Sequence, residues 1–487
     1  MFKDSTEVKK FIMFFIRRSI TFIQCCSFAF VWDIFYADMI NNPFFRKGNW
    51  VLIILYMILY HLFTSLYGGY RIGSERITDI VYSNWLTIVI VNFVAYIEIS
   101  LIDRQLQAVM PLMLLSAFQL LITVPWATYV NRLYFSLFEP KKLICLCNGN
   151  EPSRIINKFA SKSNKFNIIK TIKVKEEDSI FFDQLKGSDG VVIYDLSDEK
   201  LSKVLKYCVE NGIRYYLVPS LGDIILRTSE IIYLEDSPLF MSKNEGLSLG
   251  QKFWKRTFDI LFSIISLLLL SPLMILIALT IKLCDGGPIF YSQERCTKRA
   301  TKFNILKFRT MVVNAEKDGV ARFAQEDDPR VTTVGKLLRR LRLDELPQLI
   351  NIIKGEMSFV GPRPERPEII EQFKESLPEF DLRLSVKSGL TGFAQVYGKY
   401  NTTPEEKLKL DLIYIQTYSI PLDIKIILMT VKVVFSKNST EGFINTQKKL
   451  KVYLDDPNIS DFNVDESIVD FKTSIKEDVV ISDQNKR

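Results

Sequence analysis

Two adjacent acidic residues, Asp344 and Glu345, follow a basic run made of Arg339, Arg340 and Arg342. Carboxylates are preferred ligands of Mg2+, and guanidinium groups form paired hydrogen bonds with phosphate oxygens. This composition is typical of a site that binds phosphate together with a divalent metal, and it is also typical of a solvated helix face. Any of the three arginines could bind a phosphate group. The four-residue spacing of Arg340 and Asp344 predicts that both lie on one helical face.

A second group of basic residues accompanies the acidic pair. Arg363 lies between Pro362 and Pro364, which fix the backbone on both sides and limit the entropy lost on binding. Lys307 and Arg309 are two residues apart in a strand-like run, so both side chains are expected on one side. All three cations are candidate phosphate ligands, although a rigid loop end and a solvated strand edge fit the same patterns.

The composition limits the classes of function. The chain of 487 residues is long enough for about three domains, and 48% of it is hydrophobic. The net charge of +8 lies in clusters beside apolar segments, which suits an anionic membrane or a phosphorylated substrate better than nucleic acid. The seven cysteines show no metal-ligand spacing and no disulfide framework. The single histidine, His61, lies in an apolar stretch, so general-base catalysis by histidine is not expected.

Apolar stretches dominate the N-terminal part of the chain. Those that could span a bilayer cover about residues 19–40, 50–67, 79–102 and 108–130. Lysines and arginines are more numerous in the segments that a cytosolic N-terminus would place inside, so the positive-inside rule predicts that orientation. The sequence therefore predicts a four-helix transmembrane bundle that returns the chain to the cytosol near Asn131.

The next segment alternates buried strands with polar helices. Strands are expected at 143–147, 190–195 and 213–218, and helices at about 151–162 and 198–211. This alternation predicts a Rossmann-like parallel α/β domain. Its first loop, Asn148-Gly149-Asn150, lacks the glycine spacing that lets a backbone approach a pyrophosphate. A structural or regulatory role is therefore favoured over nucleotide binding.

A later apolar run, residues 258–284, is interrupted by Ser271-Pro272. Proline removes a backbone donor and disfavours helix at the preceding residue, so a kink or break is expected there, with the Ser271 hydroxyl supplying one hydrogen bond. Basic residues flank the run on both sides, and Lys255 and Arg256 are expected to contact lipid headgroups. This favours a re-entrant helix-break-helix with both ends in the cytosol. The alternative is an ordinary transmembrane helix with a kink, and the sequence does not decide between the two.

The remaining C-terminal part is soluble in composition and is expected to be mostly helical. Its last helix, near 421–435, suits either an interfacial position or the core. The expected parts are a transmembrane region at 1–138, the α/β domain at 139–222, a linker at 223–253, a catalytic domain at 254–455 with its re-entrant helix at 254–285, and a disordered acidic tail at 456–487.

A series of short motifs carries a family resemblance. In chain order they include Lys255-Arg256-x-x-Asp259, Gln293-Glu294-Arg295, Lys307-Phe308-Arg309-Thr310-Met311, Leu343-Asp344-Glu345-Leu346-Pro347-Gln348 and Gly361-Pro362-Arg363-Pro364. Over about residues 250–440 the chain closely resembles the monotopic phosphoglycosyl transferases, bacterial sugar transferases that initiate surface-glycan assembly. The N-terminal spans and the Rossmann-like unit resemble the long form of that family. The segment 296–300 departs from it, because the glycine expected after Gln-Glu-Arg is missing.

The resemblance implies a reaction and roles for the residues. A UDP-sugar would donate a sugar-1-phosphate to undecaprenyl phosphate and release UMP. The family's nucleophilic aspartate, which forms a covalent sugar-phosphoryl intermediate, corresponds to Asp344. Glu345, together with Asp344, would hold the Mg2+ cofactor. The expected substrate and phosphate ligands are Arg339, Arg340, Arg342, Arg363, Lys307, Arg309, Glu294 and Arg295.

The same resemblance implies a multi-pass protein of the bacterial inner membrane with its catalytic domain on the cytoplasmic face. It would act in exopolysaccharide, capsule or O-antigen synthesis, with glucose or galactose as the expected sugar and an N-acetylated amino sugar as the alternative left open. Membrane lipids are expected partners, a homodimer is left open, and nucleic acid is not expected. Two alternatives remain: a membrane-anchored nucleotide-sugar-modifying enzyme that uses the Rossmann-like unit, and a non-enzymatic regulator or scaffold of glycan polymerisation.

Overall fold

The computed structural model describes residues 5–38, 48–148, 153–174, 181–227, 229–241, 246–313, 328–398 and 402–435. Gly149 and Asn150 of the degenerate glycine loop lie outside these ranges. The expected catalytic domain beyond residue 435 and the expected tail at 456–487 also lie outside the described residues.

Four long helices form the N-terminal region: α1 (Ser5–Phe35), α2 (Gly48–Tyr67), α3 (Ile77–Asp103) and α4 (Met110–Leu137). These helices, and one later helix, are long and apolar enough to cross a membrane, which indicates a membrane protein. α1 packs against α2 and α4, and α3 packs against the same two helices. Within the described residues the predicted apolar stretches are thus largely helical, although α1 begins well before the expected residue 19 and ends at Phe35.

Polar side chains connect these helices in their interior. Gln119 of α4 donates from Nε2 to the Tyr56 hydroxyl of α2 (3.0 Å), and Asn92 of α3 donates to Gln119 Oε1 (2.9 Å). The Tyr56 hydroxyl in turn donates to Asn92 Oδ1 (2.8 Å). Because buried polar groups are costly without partners, this network favours one mutual arrangement of α2, α3 and α4.

A parallel sheet follows, with strands β1 (Lys141–Cys147), β2 (Phe166–Lys173), β3 (Gly190–Tyr194) and β4 (Arg214–Leu217) in the spatial order β2-β1-β3-β4. Helices α5 (Ser153–Ala160), α6 (Phe181–Gln184) and α7 (Asp198–Glu210) lie between the strands in sequence. This confirms the predicted parallel α/β region. The sequence does not predict β2, because this edge strand has no fully buried residue and mixes polar with apolar residues.

Residues 223–253, expected as a linker, contain regular structure. Helix α8 (Leu221–Leu226) begins with a capping box between Ser220 and Asp223, and Ile224 is buried against the C-terminal region. An antiparallel hairpin of β5 (Glu230–Leu234) and β6 (Ser237–Met241) follows. These elements are too short to show a hydrophobic period, so the sequence does not predict them.

The later apolar run lies in helix α9 (Leu249–Asp285), which continues through Ser271 and Pro272. The helix is not broken at these residues, so the expected break was wrong, and a kink at Pro272 stays a prediction. Pro272 cannot donate to the Leu268 carbonyl oxygen four residues earlier, but the Ser271 hydroxyl donates to that oxygen (2.9 Å). The Ser271 hydroxyl thus provides the hydrogen bond to the Leu268 carbonyl oxygen that Pro272 cannot form. The re-entrant path stays a prediction.

The start of α9 is fixed to the soluble region by two cations. Lys255 donates to Asp423 Oδ2 (2.7 Å), and Arg256 donates to the carbonyl oxygens of Ile352 (2.6 Å) and Ile353 (2.7 Å). The expectation that Lys255 and Arg256 contact lipid headgroups was therefore wrong. Both cations are bound by protein groups, because the end of a helix and a carboxylate lie within their reach.

The rest of the C-terminal region is mostly helical. It contains an antiparallel hairpin of β7 (Phe290–Cys296) and β8 (Lys302–Phe308), and a parallel pair of β9 (Ser358–Val360) and β10 (Gly389–Thr391). Its helices are α10 (Thr333–Arg340), α11 (Gln348–Lys354), α12 (Pro367–Ser376), α13 (Phe393–Tyr397), α14 (Pro404–Gln416) and α15 (Ile420–Phe435). Short 3₁₀ segments lie at Lys298–Ala300, Leu343–Glu345 and Pro378–Ser385.

A buried ion pair joins two parts of this region. The guanidinium of Arg383 lies against Asp411 of α14, with Nη2 2.8 Å and Nε 3.0 Å from Oδ2. Both side chains are almost completely buried. Burial raises the pKa of Asp411, and Arg383 offsets part of that shift. Asp411 therefore depends on Arg383 for compensation of its charge, whereas Arg383 also lies 3.8 Å from a second carboxylate, that of Glu365.

We expect Asp411→Ala to destabilise the protein by roughly 3–5 kcal/mol, because it leaves the Arg383 guanidinium buried without its carboxylate. Thermal unfolding of the detergent-solubilised protein, followed by intrinsic fluorescence, measures this effect. The control is Glu379→Ala, which removes an exposed carboxylate near Arg383 and should change stability by less than about 0.5 kcal/mol. Equal melting temperatures for the two variants would contradict the role assigned to the buried pair.

Candidate active site

The acidic pair lies in a tight turn between two helices. α10 ends at Arg340, Arg342 adopts a left-handed backbone conformation (φ 54°), and Leu343–Glu345 forms a 3₁₀ turn before α11 begins. The turn packs against β8. Because the helix ends before Asp344, the prediction that Arg340 and Asp344 share one helical face was wrong.

Glu345 is held between two cations. Its Oε1 atom lies 3.1 Å from Lys307 Nζ and 3.1 Å from Arg363 Nη2, and only 8% of the residue is exposed. Burial alone would raise the pKa of Glu345, but Lys307, Arg363 and Arg342 lower it well below its ordinary value. Glu345 is therefore ionised at physiological pH.

Asp344, the neighbouring carboxylate, has the opposite pKa shift. Burial and the negative charge of Glu345 raise the pKa of Asp344 to about 6, while Lys307, Arg339 and Arg363 offset only part of this shift. The two carboxylates compete for the same cations, and Glu345 is in direct contact with two of them. Asp344 is thus the carboxylate whose negative charge is less well compensated by the protein.

The β7–β8 hairpin determines which of the other candidates reach the pair. Side chains alternate between the two faces of the hairpin, and the strand pairing places Arg295 on the same face as Lys307. Burial lowers the pKa of Arg295, and the nearby Arg363 lowers it further. Glu294 lies on the opposite face, where it pairs with Lys302 (3.0 Å). The expectation that Glu294 joins the site was therefore wrong, because it ignored this alternation.

The remaining predicted arginines lie around the turn. Arg339 donates from Nε to Thr310 Oγ1 (2.8 Å), which fixes its guanidinium near the pair. Arg309 follows β8 directly and is buried, with its guanidinium against Gly287. Arg340 is exposed at the end of α10. Lys307 and Arg363 thus contact Glu345 directly, Arg339 acts on Asp344 through its charge, and Arg342 acts on Glu345 through its charge. Arg295 lies near Arg363 and not against the pair.

Two residues that the sequence did not single out position Arg363. Arg383 donates from Nη2 to the Arg363 carbonyl oxygen (3.1 Å) and pairs with Asp411 at the same time. The adjacent backbone is also tightly packed, because a β-carbon at Gly389 would lie 2.1 Å from the Gly361 nitrogen. The Arg363 loop is therefore fixed on both sides. No local motif marks Arg383 and Asp411, whose contact depends on the tertiary fold.

The pair offers a small set of metal ligands. The described part of the chain contains no cluster of three or more His, Cys, Asp or Glu side chains suited to an ion. Mg2+ is commonly bound by one or two carboxylates, with substrate phosphates and water completing its coordination. Asp344 and Glu345 fit that kind of site. The raised pKa of Asp344 means that added positive charge would favour its ionised form.

Comparison with known proteins matches residues 250–437 to the bacterial sugar transferase family. The chain is 36% identical over 252 residues to a UDP-N-acetylgalactosamine-undecaprenyl-phosphate N-acetylgalactosaminephosphotransferase from Aeromonas hydrophila. The aligned residues cover 50% of this chain and 59% of the relative. It is 35% identical over 251 residues to a UDP-glucose:undecaprenyl-phosphate glucose-1-phosphate transferase from Escherichia coli (strain K12), covering 50% and 52%. It is 41% identical over 194 residues to the exopolysaccharide production protein ExoY from Sinorhizobium fredii, covering 37% and 84%.

The chain therefore belongs to the bacterial sugar transferase family, of the phosphoglycosyl transferase type, and the resemblance seen in its motifs is confirmed. The matched residues include α9, the β7–β8 hairpin and the acidic pair. The chain spans about half the length of the first relatives it matches.

The raised pKa of Asp344 predicts a pH-dependent stability. Between its ordinary value of 3.8 and about 6, the folded protein holds a proton at Asp344 that the unfolded chain releases. The contribution of Asp344 to the free energy of unfolding therefore falls as the pH rises through this range. We expect Asp344→Asn to be more stable than the wild type by roughly 1–3 kcal/mol above about pH 7, with the difference vanishing near pH 4.

Melting temperatures measured between about pH 4 and pH 8 test this expectation. Glu379→Gln, the same carboxyl-to-amide change at an exposed position, is the matched control. An Asp344→Asn protein that melts below the wild type at the upper end of this range would show that the ionised carboxylate is stabilised by its surroundings.

Proposed function

We propose that the chain transfers a sugar-1-phosphate from a UDP-sugar to undecaprenyl phosphate. The observation that carries this proposal is the contrast within the acidic pair. Glu345 is neutralised by Lys307 and Arg363, whereas the adjacent Asp344 has a pKa of about 6 and is surrounded by cations that phosphate groups would contact. The names of the relatives describe the same class of transfer for those proteins.

In the proposed first step, a carboxylate oxygen of Asp344 attacks the phosphorus atom that carries the sugar. An oxygen–phosphorus bond forms, the diphosphate bond breaks, and UMP leaves with the bridging oxygen and its electron pair. The pKa of about 6 makes Asp344 more basic than an ordinary aspartate and still largely ionised at neutral pH. Lys307, Arg339 and Arg363 supply the positive charge that phosphoryl transfer requires.

In the proposed second step, a phosphate oxygen of undecaprenyl phosphate attacks the same phosphorus atom. The bond to Asp344 breaks, its carboxylate is restored, and the sugar is linked to the lipid through a diphosphate. Two steps allow a water-soluble donor and a membrane-bound acceptor to use one carboxylate in turn. Glu345 and Asp344 are the residues that would hold Mg2+, which when bound neutralises negative charge on a diphosphate.

The contacts of α9 support a re-entrant path through one leaflet. Near its start, Arg256 is bound to the end of α11, and in its second half Ile277 and Ile281 belong to one apolar cluster with Phe308 of β8. A straight helix across a hydrocarbon core of about 30 Å would place these two halves on opposite sides. Because both pack against one soluble region, we propose that α9 enters the membrane without crossing it. The basic residues on both sides of the apolar run favour the cytoplasmic face of the bacterial inner membrane for that region.

The sugar is proposed only as a class. The names of two relatives specify different sugars, N-acetylgalactosamine and glucose. Small differences in contacts to sugar hydroxyl groups decide such specificity, so a UDP-sugar is the substrate class that the shared site supports. Glucose or galactose stays a prediction, which transfer assays with a panel of UDP-sugars would test.

A covalent two-step mechanism predicts an exchange reaction in the absence of the lipid. We expect the wild type to exchange labelled UMP into the UDP-sugar without undecaprenyl phosphate, because the first step is reversible and self-contained. Asp344→Asn should lower the exchange rate by at least about 10⁴-fold. Arg363→Gln should lower it by about 10²–10³-fold, because it removes one charge contact to the phosphate. Chromatographic separation of labelled UDP-sugar from UMP measures the rates.

Glu379→Gln is again the control and should exchange at the wild-type rate, because Glu379 is exposed and lies in the 3₁₀ segment behind the Arg363 loop. Undiminished exchange by Asp344→Asn would overturn the assignment of the nucleophile. A wild type that transfers sugar phosphate to the lipid without any UMP exchange would instead indicate direct transfer between the two substrates.

A further inference from the structure

An open cavity of about 990 Å³ lies between the start of α9, the β7–β8 hairpin and the end of α11. Ser292, Asn304 and Leu306 line it from the hairpin face opposite to that of Lys307, and Phe303 lines it from the other face. The lining includes none of Asp344, Glu345, Lys307 and Arg363, so the cavity is separate from the site described above.

Positive charge dominates the lining. The cations that line the cavity are Lys252, Lys298, Arg299, Lys302, Lys354 and Lys387. Lys302 pairs with Glu294, and Lys387 donates to the Gly355 carbonyl oxygen (2.7 Å). The other four cations have no carboxylate partner within the described parts of the chain. Glu356 is the carboxylate of the lining, and it accepts a hydrogen bond from Asn351 (2.6 Å).

The turn that supplies two of these cations is strained. Arg299 (φ 54°) and Ala300 (φ 57°) both adopt the left-handed backbone conformation, which costs free energy for a residue with a β-carbon and which glycine adopts readily. The family resemblance predicts a glycine in this turn. This chain keeps a glycine-like backbone there but carries Lys298 and Arg299 on it. Backbone strain of this kind is retained where the surroundings or a function require it.

The cations also repel one another. Burial, followed by the charges of Lys252 and Arg299, lowers the pKa of Lys298. Burial, followed by the charge of Arg256, lowers the pKa of Lys387. An anion with several acceptor oxygens would relieve this repulsion and form charge-assisted hydrogen bonds with the same side chains.

We propose that this basic cavity binds a phosphate group, carried either by a membrane lipid headgroup or by a soluble phosphate compound, with Lys298 and Arg299 as direct ligands. Lys252 lies in the first turn of α9, directly before the exposed Phe253 and Trp254, where the apolar helix leaves the soluble region. The cavity is therefore placed where a headgroup or a soluble ligand can reach it. Its occupation is a property beyond the transfer reaction and does not involve Asp344.

Hydrogen–deuterium exchange of the backbone amides at 298–302 tests the proposal on the full chain in lipid nanodiscs. One arm adds inorganic pyrophosphate to protein in phosphatidylcholine nanodiscs. The other arm replaces phosphatidylcholine stepwise with anionic phosphatidylglycerol. We expect amide exchange at 298–302 to slow by at least about threefold in one arm, because charge-assisted hydrogen bonds fix the turn. The arm that responds identifies the source of the phosphate.

Matched variants separate this site from general charge effects. In the double variant Lys298→Gln/Arg299→Gln, the ligand concentration that gives half-maximal slowing of amide exchange should rise by at least about fivefold. Ala300→Gly relieves the strain without changing charge, and Lys203→Gln/Lys206→Gln removes the same charge from α7. Both controls should keep the wild-type response. If the first double variant does not fold, Arg299→Gly removes one cation while relieving strain and should raise that concentration by at least about twofold.

Two results would overturn the proposal: no slowing in either arm, or the same slowing in the variants at 298 and 299 as in both controls. Neither result changes the expectation for UMP exchange, because Asp344, Lys307 and Arg363 do not line the cavity. The proposal of a phosphate-binding cavity and the proposal of the transfer reaction can therefore be refuted independently.

Discussion

The contact of Glu345 with Lys307 and Arg363 is the interaction on which the active site depends. Lys307 comes from the β7–β8 hairpin and Arg363 from the loop after β9, so one carboxylate joins two elements that are distant in sequence. Removal of either cation would leave a buried charge poorly compensated. The same contact contributes to the difference between the two carboxylates. Burial and then the negative charge of Glu345 raise the pKa of Asp344, whereas the shared cations lie against Glu345 and lower its pKa.

Helix α9 relates this site to the membrane. Its Asp259 accepts hydrogen bonds from the Ser358 hydroxyl (2.8 Å) and the Phe359 amide (2.9 Å), which fixes β9 and, through it, the Arg363 loop. The apolar segment around Pro272 belongs to the same helix. The helix that orders one of the cations on Glu345 is thus also apolar enough to enter a bilayer, so the depth of the site in the membrane and its internal geometry are coupled.

The N-terminal regions attach to the scaffold of the site. Lys432 of α15 donates to the Tyr67 carbonyl oxygen at the end of α2 (2.8 Å), and Lys158 of α5 forms an ion pair with Glu406 of α14. α14 and α15 are the helices that bind Arg383 and the start of α9. The apolar helices and the α/β region therefore contact the helices that position the site, which is consistent with a structural role for both regions.

The sequence by itself determined the apolar helices, the parallel α/β region, the family and the identity of the acidic pair, because composition, strand alternation and ordered motifs are local properties. It did not determine which charged side chains reach the pair. Glu294 and Lys307 both looked suitable, but strand pairing sends them to opposite faces of one hairpin. Only the tertiary structure brought Arg383 and Asp411 together behind the Arg363 loop and gave the two adjacent carboxylates opposite pKa shifts, because burial and charge balance depend on distances between residues far apart in the chain.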